Sequence, residues 1–164
     1  MKVSYCLDSN TFIQANIQYY GLDFCPAYWD WLRKQNSEGV VFSIVNIRDE
    51  LVKVDTILSV WVKNCNIRFF LEIDAETIDN YKLVVQWVDV NYKGEAEKTR
   101  FLGGADPWLI AFCMTHNHVL VSQEVMAADN STKIKIPNVC KQFKVEYLNT
   151  FEMLRREKAT FILS

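Results

Sequence analysis

No Cys-x-x-Cys pair occurs in this chain, no apolar run is long enough to cross a bilayer, and there is neither an excess of positive charge nor an internal repeat. Each absence removes a class of protein. The five cysteines, Cys6, Cys25, Cys65, Cys113 and Cys140, are odd in number and widely spaced, which argues against a zinc site or disulfide framework and for free thiols in a reducing compartment. The chain reaches Asp8 before a signal-peptide apolar region has formed, so the expectation is a soluble, cytoplasmic protein without membrane contact. With a net charge of −2 and a pI of about 5.7, no global basic field attracts nucleic acid, and any such contact has to come from a local patch.

What is present is apolar bulk. Half of the 164 residues are hydrophobic and 13% are aromatic, enough to bury a sizeable core, and residues 1–164 read as one domain. Short β-branched or aromatic runs at residues 3–7, 40–42, 119–122 and 145–148 have the composition of strands. Helical patterns fill residues 11–20, the stretch from Pro26 to Gly39, residues 44–54 and 56–64, a segment opening at residues 74–76, residues 95–102, the stretch after Pro107 and residues 150–158. In the segment that opens at residues 74–76, Ile78, Tyr81, Leu83, Val85 and Trp87 form the expected apolar stripe; in the last helix, Phe151 and Leu154 are expected to face inward. Residues 69–71 read as an extended connecting piece, and residues 161–163 as a last edge strand or a docking tail. Strands alternating with helices imply an α/β domain with a mainly parallel sheet covered on both faces, and such sheets hold their sites beyond the strands' carboxyl ends.

The stretch GGADPWLIAF, residues 103–112, sets one acid at the mouth of an apolar helix. Asp106 is expected at the N-cap, with Pro107 at the first helical position. Alone, that pattern is a helix cap, and a functional role needs other carboxylates at the same place. Asp8 leaves the first strand as Glu124 leaves the third strand-like run, and Glu50 rides on a helix. Carboxylates gathered on one edge would repel each other unless a hard divalent cation sat among them; Mg²⁺ or Mn²⁺ would be the natural occupant, suited to phosphodiester hydrolysis.

The order LDSNTFI at residues 7–13, RDEL at 48–51, GADPWLIA at 104–111 and VSQE at 121–124 resembles the PIN-domain ribonucleases across nearly the whole chain. The Tyr28 to Leu32 helix and KIKIPNVC at residues 133–140 resemble a PIN-like branch related to VapC-type toxins. The resemblance implies a PIN-like three-layer α/β/α sandwich and a Mg²⁺- or Mn²⁺-dependent endoribonuclease that acts on RNA. It also implies the toxin half of a toxin–antitoxin pair, with a cognate antitoxin as partner; a homodimer is the expected assembly. Carried over by motif, Asp8, Glu50, Asp106 and Glu124 would be the metal-binding catalytic acids, with Asn10 and Ser122 orienting a carboxylate or a water. Many relatives have Asp at the fourth position, where this chain has the longer Glu124. A non-catalytic PIN-like module that binds RNA or protein and a metal-dependent phosphatase are the competing readings.

Other residues invite weaker readings. His116 and His118 lack a third ligand at zinc spacing and are expected to be surface histidines. Trp29, Trp31, Trp61, Trp87 and Trp108 lie mostly on apolar stripes and are expected to pack in the core rather than stack on bases. Lys133, Lys135, Lys141 and Lys144 form a local basic group that either contacts phosphates or is a solvated face.

Overall fold

Three consecutive apolar side chains, Tyr5 to Leu7, are all withdrawn from water, and this strand, β1, forms the middle of the sheet. In the computed structural model, which describes residues 2–163, β2 (Val41–Ile44), β3 (Phe70–Leu71), β4 (Val119–Val121) and β5 (Tyr147–Leu148) complete the sheet in the order β3-β2-β1-β4-β5. All pairings are parallel. Every residue of β1, β2 and β4 is buried, whereas a strand wet on one face would alternate, so helices cover both faces. The expected three-layer α/β/α architecture is the one found.

The helices are α1 (Ser9–Gln14), which runs on into a π turn (Ala15–Tyr19), α2 (Pro26–Ser37), α3 (Val45–Leu51), α4 (Ile57–Lys63), α5 (Ala75–Asn91), α6 (Glu95–Leu102), α7 (Asp106–His116), α8 (Ile136–Phe143) and α9 (Thr150–Arg156). Local chemistry sets several of their ends. Thr56 and Ser59 form a reciprocal capping box at α4, Asn149 and Glu152 form another at α9, and Asp74 caps α5. Gly39, at φ +73°, turns the chain out of α2 into β2 in a conformation that side chains resist. Phe12 packs among Trp61, Phe69 and Phe70 with ring centroids 6.1 to 6.2 Å apart, and Trp29 meets Trp61 edge to face at 4.8 Å. Trp29 and Trp61 are core residues as expected, while Trp31, Trp87 and Trp108 are half-buried against the core.

Three elements of the fold depart from the sequence expectation. Residues 67–69 form a 3₁₀ turn, and Phe70 and Leu71 then pair with Ser43 and Ile44 as a true edge strand rather than a connecting piece. On α5 the buried residues are Thr77, Val84 and Val88, and Ile78 and Leu83 are 41% and 46% exposed. On α9, Met153 and Leu154 point inward, and the half-buried Phe151 instead meets the edge of Tyr19 at 5.0 Å. Of the two expectations for the tail the docking one holds: it forms no strand among the described residues, and Phe161 docks beside Tyr20 and Tyr28 while Ile162 stays exposed. Among the described residues no helix is long and apolar enough to cross a membrane. All five cysteines are free thiols, with Cys6, Cys113 and Cys140 buried.

The strand order positions the site. From β1 the chain crosses to β2 on one side, whereas β4 lies on the other, so connections at the carboxyl ends of β1 and β4 diverge and leave a crevice.

Candidate functional site

Leu7 lies beside Val121 in the parallel register, so the residues that follow them, Asp8 and Ser122, leave the sheet side by side. The Asp8 N–H donates to the Val121 carbonyl at 2.9 Å, and the Thr11 hydroxyl donates to the same carbonyl at 3.1 Å. Ser43 Oγ donates to the Leu7 carbonyl at 2.6 Å, so the turn out of β1 is held from both neighbouring strands. Asp8 occupies the N-cap place of α1 with extended backbone, yet its carboxylate caps nothing. It is fully buried and accepts from Ser122 Oγ at 3.0 Å and Ser9 Oγ at 3.3 Å. Ser122, a candidate for orienting a carboxylate, therefore bonds Asp8 directly. Its companion Asn10 is half-buried in the first turn of α1, and the Asp8 oxygens are taken by Ser9 and Ser122 instead.

The other acids arrive on helices and a loop. Glu50, on α3, accepts from the Ala105 N–H at 2.9 Å, which places a carboxylate at the amino end of α7, where unpaired N–H groups and the helix dipole favour negative charge. Asp106 is not the N-cap it was expected to be. Ala105 holds that position with helical backbone, and Asp106 is the first residue of α7, half-buried and without capping duty. The cause lies just upstream, where Gly103 N–H bonds the Thr99 carbonyl and Gly104 N–H bonds the Phe101 carbonyl, so the chain is already wound when it reaches Ala105. A Cβ on Gly103 would stand 2.9 Å from the Thr99 carbonyl oxygen, so only glycine fits this turn. Glu124 donates its N–H to Ser122 Oγ at 3.1 Å, while its carboxylate accepts from the Ile136 N–H at 2.7 Å and lies 3.7 Å from the Lys135 ammonium.

Asp8 and Asp106 feel the charges of the other acids. Burial first, then the charges of Asp8, Glu124 and Glu50, push Asp106 up to about 8, against a smaller opposing pull from Arg100. Burial likewise raises Asp8 to about 6, with Glu124 and Glu50 adding to the rise and the Ser122 hydrogen bond opposing it. Arg100 was not legible as part of this neighbourhood. Its guanidinium is held by Glu97 at 2.7 Å and by the Ile134 carbonyl at 3.0 Å, and the charges of Asp106 and Glu124 are felt there. Ser9 was also missed, because a serine next to a capping aspartate reads as an ordinary turn residue.

The donors are hard carboxylate oxygens, and Asp8 and Asp106 carry pKa values raised first by burial and then by neighbouring charge; that chemistry fits Mg²⁺ or Mn²⁺. Among the described residues, no three His, Cys, Asp or Glu side chains close on one point as a ready-made cage. Glu50 and Glu124 each direct one oxygen to a backbone N–H. Of the four, Asp106 alone has no hydrogen-bond partner for its carboxylate among the described residues; Asp8 would join by giving up a serine hydroxyl, and Glu50 and Glu124 by exchanging a backbone N–H, for a cation or its water.

The histidines lie at the opposite, amino edge of the sheet. His116 Nε2 is 2.7 Å from Asp74 Oδ2, and His118 Nδ1 is 2.6 Å from Ser4 Oγ. His116 is exposed as expected, but His118 is half-buried against Phe42, and burial pushes it down to about 4. The lysines also separate: Lys135 reaches Glu124 and Lys133 reaches Glu97 at 3.8 Å, while Lys144 ends α8 in a left-handed conformation at φ 56°.

A family model described as a domain of unknown function, DUF4411, matches residues 5–161. No curated protein matches the chain.

Proposed function

The chain belongs to the DUF4411 family, and for this member we propose metal-dependent hydrolysis of phosphodiester bonds in RNA, by a PIN-like ribonuclease. The observation that carries the reading is the gathering of Asp8, Glu50, Asp106 and Glu124, from four separate elements, into one electrostatic neighbourhood beyond the carboxyl ends of β1 and β4. The motif resemblance to PIN-domain ribonucleases supports the same assignment. Asp8, Glu50, Asp106 and Glu124 would hold Mg²⁺ or Mn²⁺. Such an ion, when bound, lowers the pKa of water and neutralises charge developing on a phosphate.

The chain's own residues do the rest. Ser122 fixes Asp8 Oδ2 and, through the Glu124 N–H, sets the start of the loop that carries Glu124. Asp106, protonated in much of the population at neutral pH, gives up its proton when a countercharge arrives. Arg100 and Lys135 put positive charge at the rim, where a phosphate backbone would otherwise meet only acids. In the wider reading the protein is the toxin of a toxin–antitoxin pair, a homodimer whose cognate antitoxin covers the acidic edge.

The test is to incubate the purified chain with a mixed RNA pool in Mg²⁺, Mn²⁺ or EDTA and to map new ends. Metal-dependent ends are expected. RNA that is bound but left intact under all three conditions would favour the non-catalytic module, and a trapped phosphoenzyme would favour a phosphatase.

A further inference from the structure

A cavity of about 410 Å³ lies between α5, α8 and the loop that carries Glu124, and it is large enough for one small polar ligand. Trp87 and Tyr92 line it, meeting edge to face at 5.8 Å. Lys133 and Lys141 line it from the other side. Lys141 pairs with no carboxylate among the described residues, and Lys133 has only the long 3.8 Å contact with Glu97. Asp129, exposed, is the acid at the rim. The wall is preformed, because the Asn138 amide accepts from the Ala127 N–H at 2.9 Å and donates to its carbonyl at 3.0 Å. The loop pinned in this way starts at Ser122 and Glu124 and returns to Glu124 through Lys135 and Ile136. The cavity and the acidic site therefore share one loop.

Flat ring surface beside mobile ammonium groups is the chemistry that recognises a nucleotide in a single strand, since every base has a π-face and every phosphate a charge. We propose that this cavity seats one nucleotide of a single-stranded nucleic acid, its base against Trp87 and Tyr92 and its phosphate on Lys141 and Lys133. The inference rests on the nuclease reading for what happens to the strand at the acids, and it adds where the strand is gripped. The cavity reads base and phosphate, so RNA and DNA strands of one sequence both bind.

Fluorescence anisotropy of short labelled strands with the whole chain in EDTA measures the grip without cleavage. Lys141→Glu is expected to weaken binding and to reduce the salt slope by roughly 0.7, one phosphate contact on a single strand. Trp87→Leu, which keeps apolar contact with Phe143, is expected to lose roughly 5- to 100-fold in affinity. Lys34→Glu makes the same charge change, also in the last turn of a helix but on α2, and should bind as the parent does. Equal weakening by Lys34→Glu and Lys141→Glu would overturn the subsite, as would parental binding by folded Trp87→Leu or a failure of the DNA strand to bind. The nuclease reading fails separately: a parent that shows the expected variant pattern in binding yet cuts nothing with Mn²⁺ keeps the subsite and loses the chemistry.

Discussion

Ser122 Oγ donates to Asp8 Oδ2 at 3.0 Å in a place where Asp8 has no exposure to solvent. A buried carboxylate depends on such a bond, and here the bond also works against the burial that raises the Asp8 pKa. Ser122→Ala should therefore push Asp8 further above about 6 and weaken metal binding by roughly 10- to 100-fold, the usual cost of losing an orienting partner. Calorimetric titration of Mn²⁺ into parent and variant measures it; equal affinities would mean that Asp8 is no ligand.

Asp106 and Asp8 bind more protons in the folded chain than in the unfolded one, because both folded pKa values lie above the ordinary carboxylate range. Their contribution to stability is therefore complete below the unfolded pKa of about 4 and is lost as pH rises through about 6 for Asp8 and about 8 for Asp106. In EDTA the parent should lose melting temperature between neutral pH and about pH 9, and Asp106→Asn should lose less, since it lacks the step near 8. Metal at a hundred times its Kd adds about 2.7 kcal/mol, which for a chain of this size is a rise of roughly 5 to 10 °C. The variant should gain much less. Equal metal-induced shifts in thermal melts of the two proteins would remove Asp106 from the site.

The α5 face offers a check on packing that is independent of chemistry. Val84 is fully buried, so Val84→Ala should cost about 2 kcal/mol, whereas Leu83→Ala, at a site 46% exposed, should stay within about 0.5 kcal/mol. Urea unfolding of the two variants separates them, and the reverse order would mean that the helix is rotated.

The sequence made some of this legible and left the rest hidden for physical reasons. Asp8 and Glu124 could be placed because each follows a short apolar run, and a parallel sheet brings such exits to one edge. Glu50 was readable from the helical spacing around it. The α5 face was not, because its buried positions include Thr77 while the aromatic side chains of Tyr81 and Trp87 lie only partly inside; Tyr81 instead stacks on Trp108 at 3.6 Å. Asp106-Pro107 reads as cap and first residue, but the turn at Gly103 winds the helix one residue early. Arg100 reaches the site through Glu97 and the Ile134 carbonyl, a contact across 34 residues that no local pattern announces.

Toxicity has its own readout. Expression of the chain alone in a bacterial host should slow growth, and co-expression of its genomic neighbour should restore it. Normal growth at a high level of active protein would separate the nuclease from any toxin role.

Cleavage of one end-labelled RNA by the parent and by Asp106→Asn, with Mn²⁺ and with EDTA, tests the acidic site most directly. Asn at position 106 disturbs no cap, since Ala105 holds that place, so both proteins should be folded. The expected result is metal-dependent cleavage by the parent and at least a 100-fold slower reaction by the variant, about 2.7 kcal/mol or more of lost transition-state stabilisation. Cleavage by the folded variant at the parental rate, or by the parent at an equal rate in EDTA, would contradict a metal site built on Asp106.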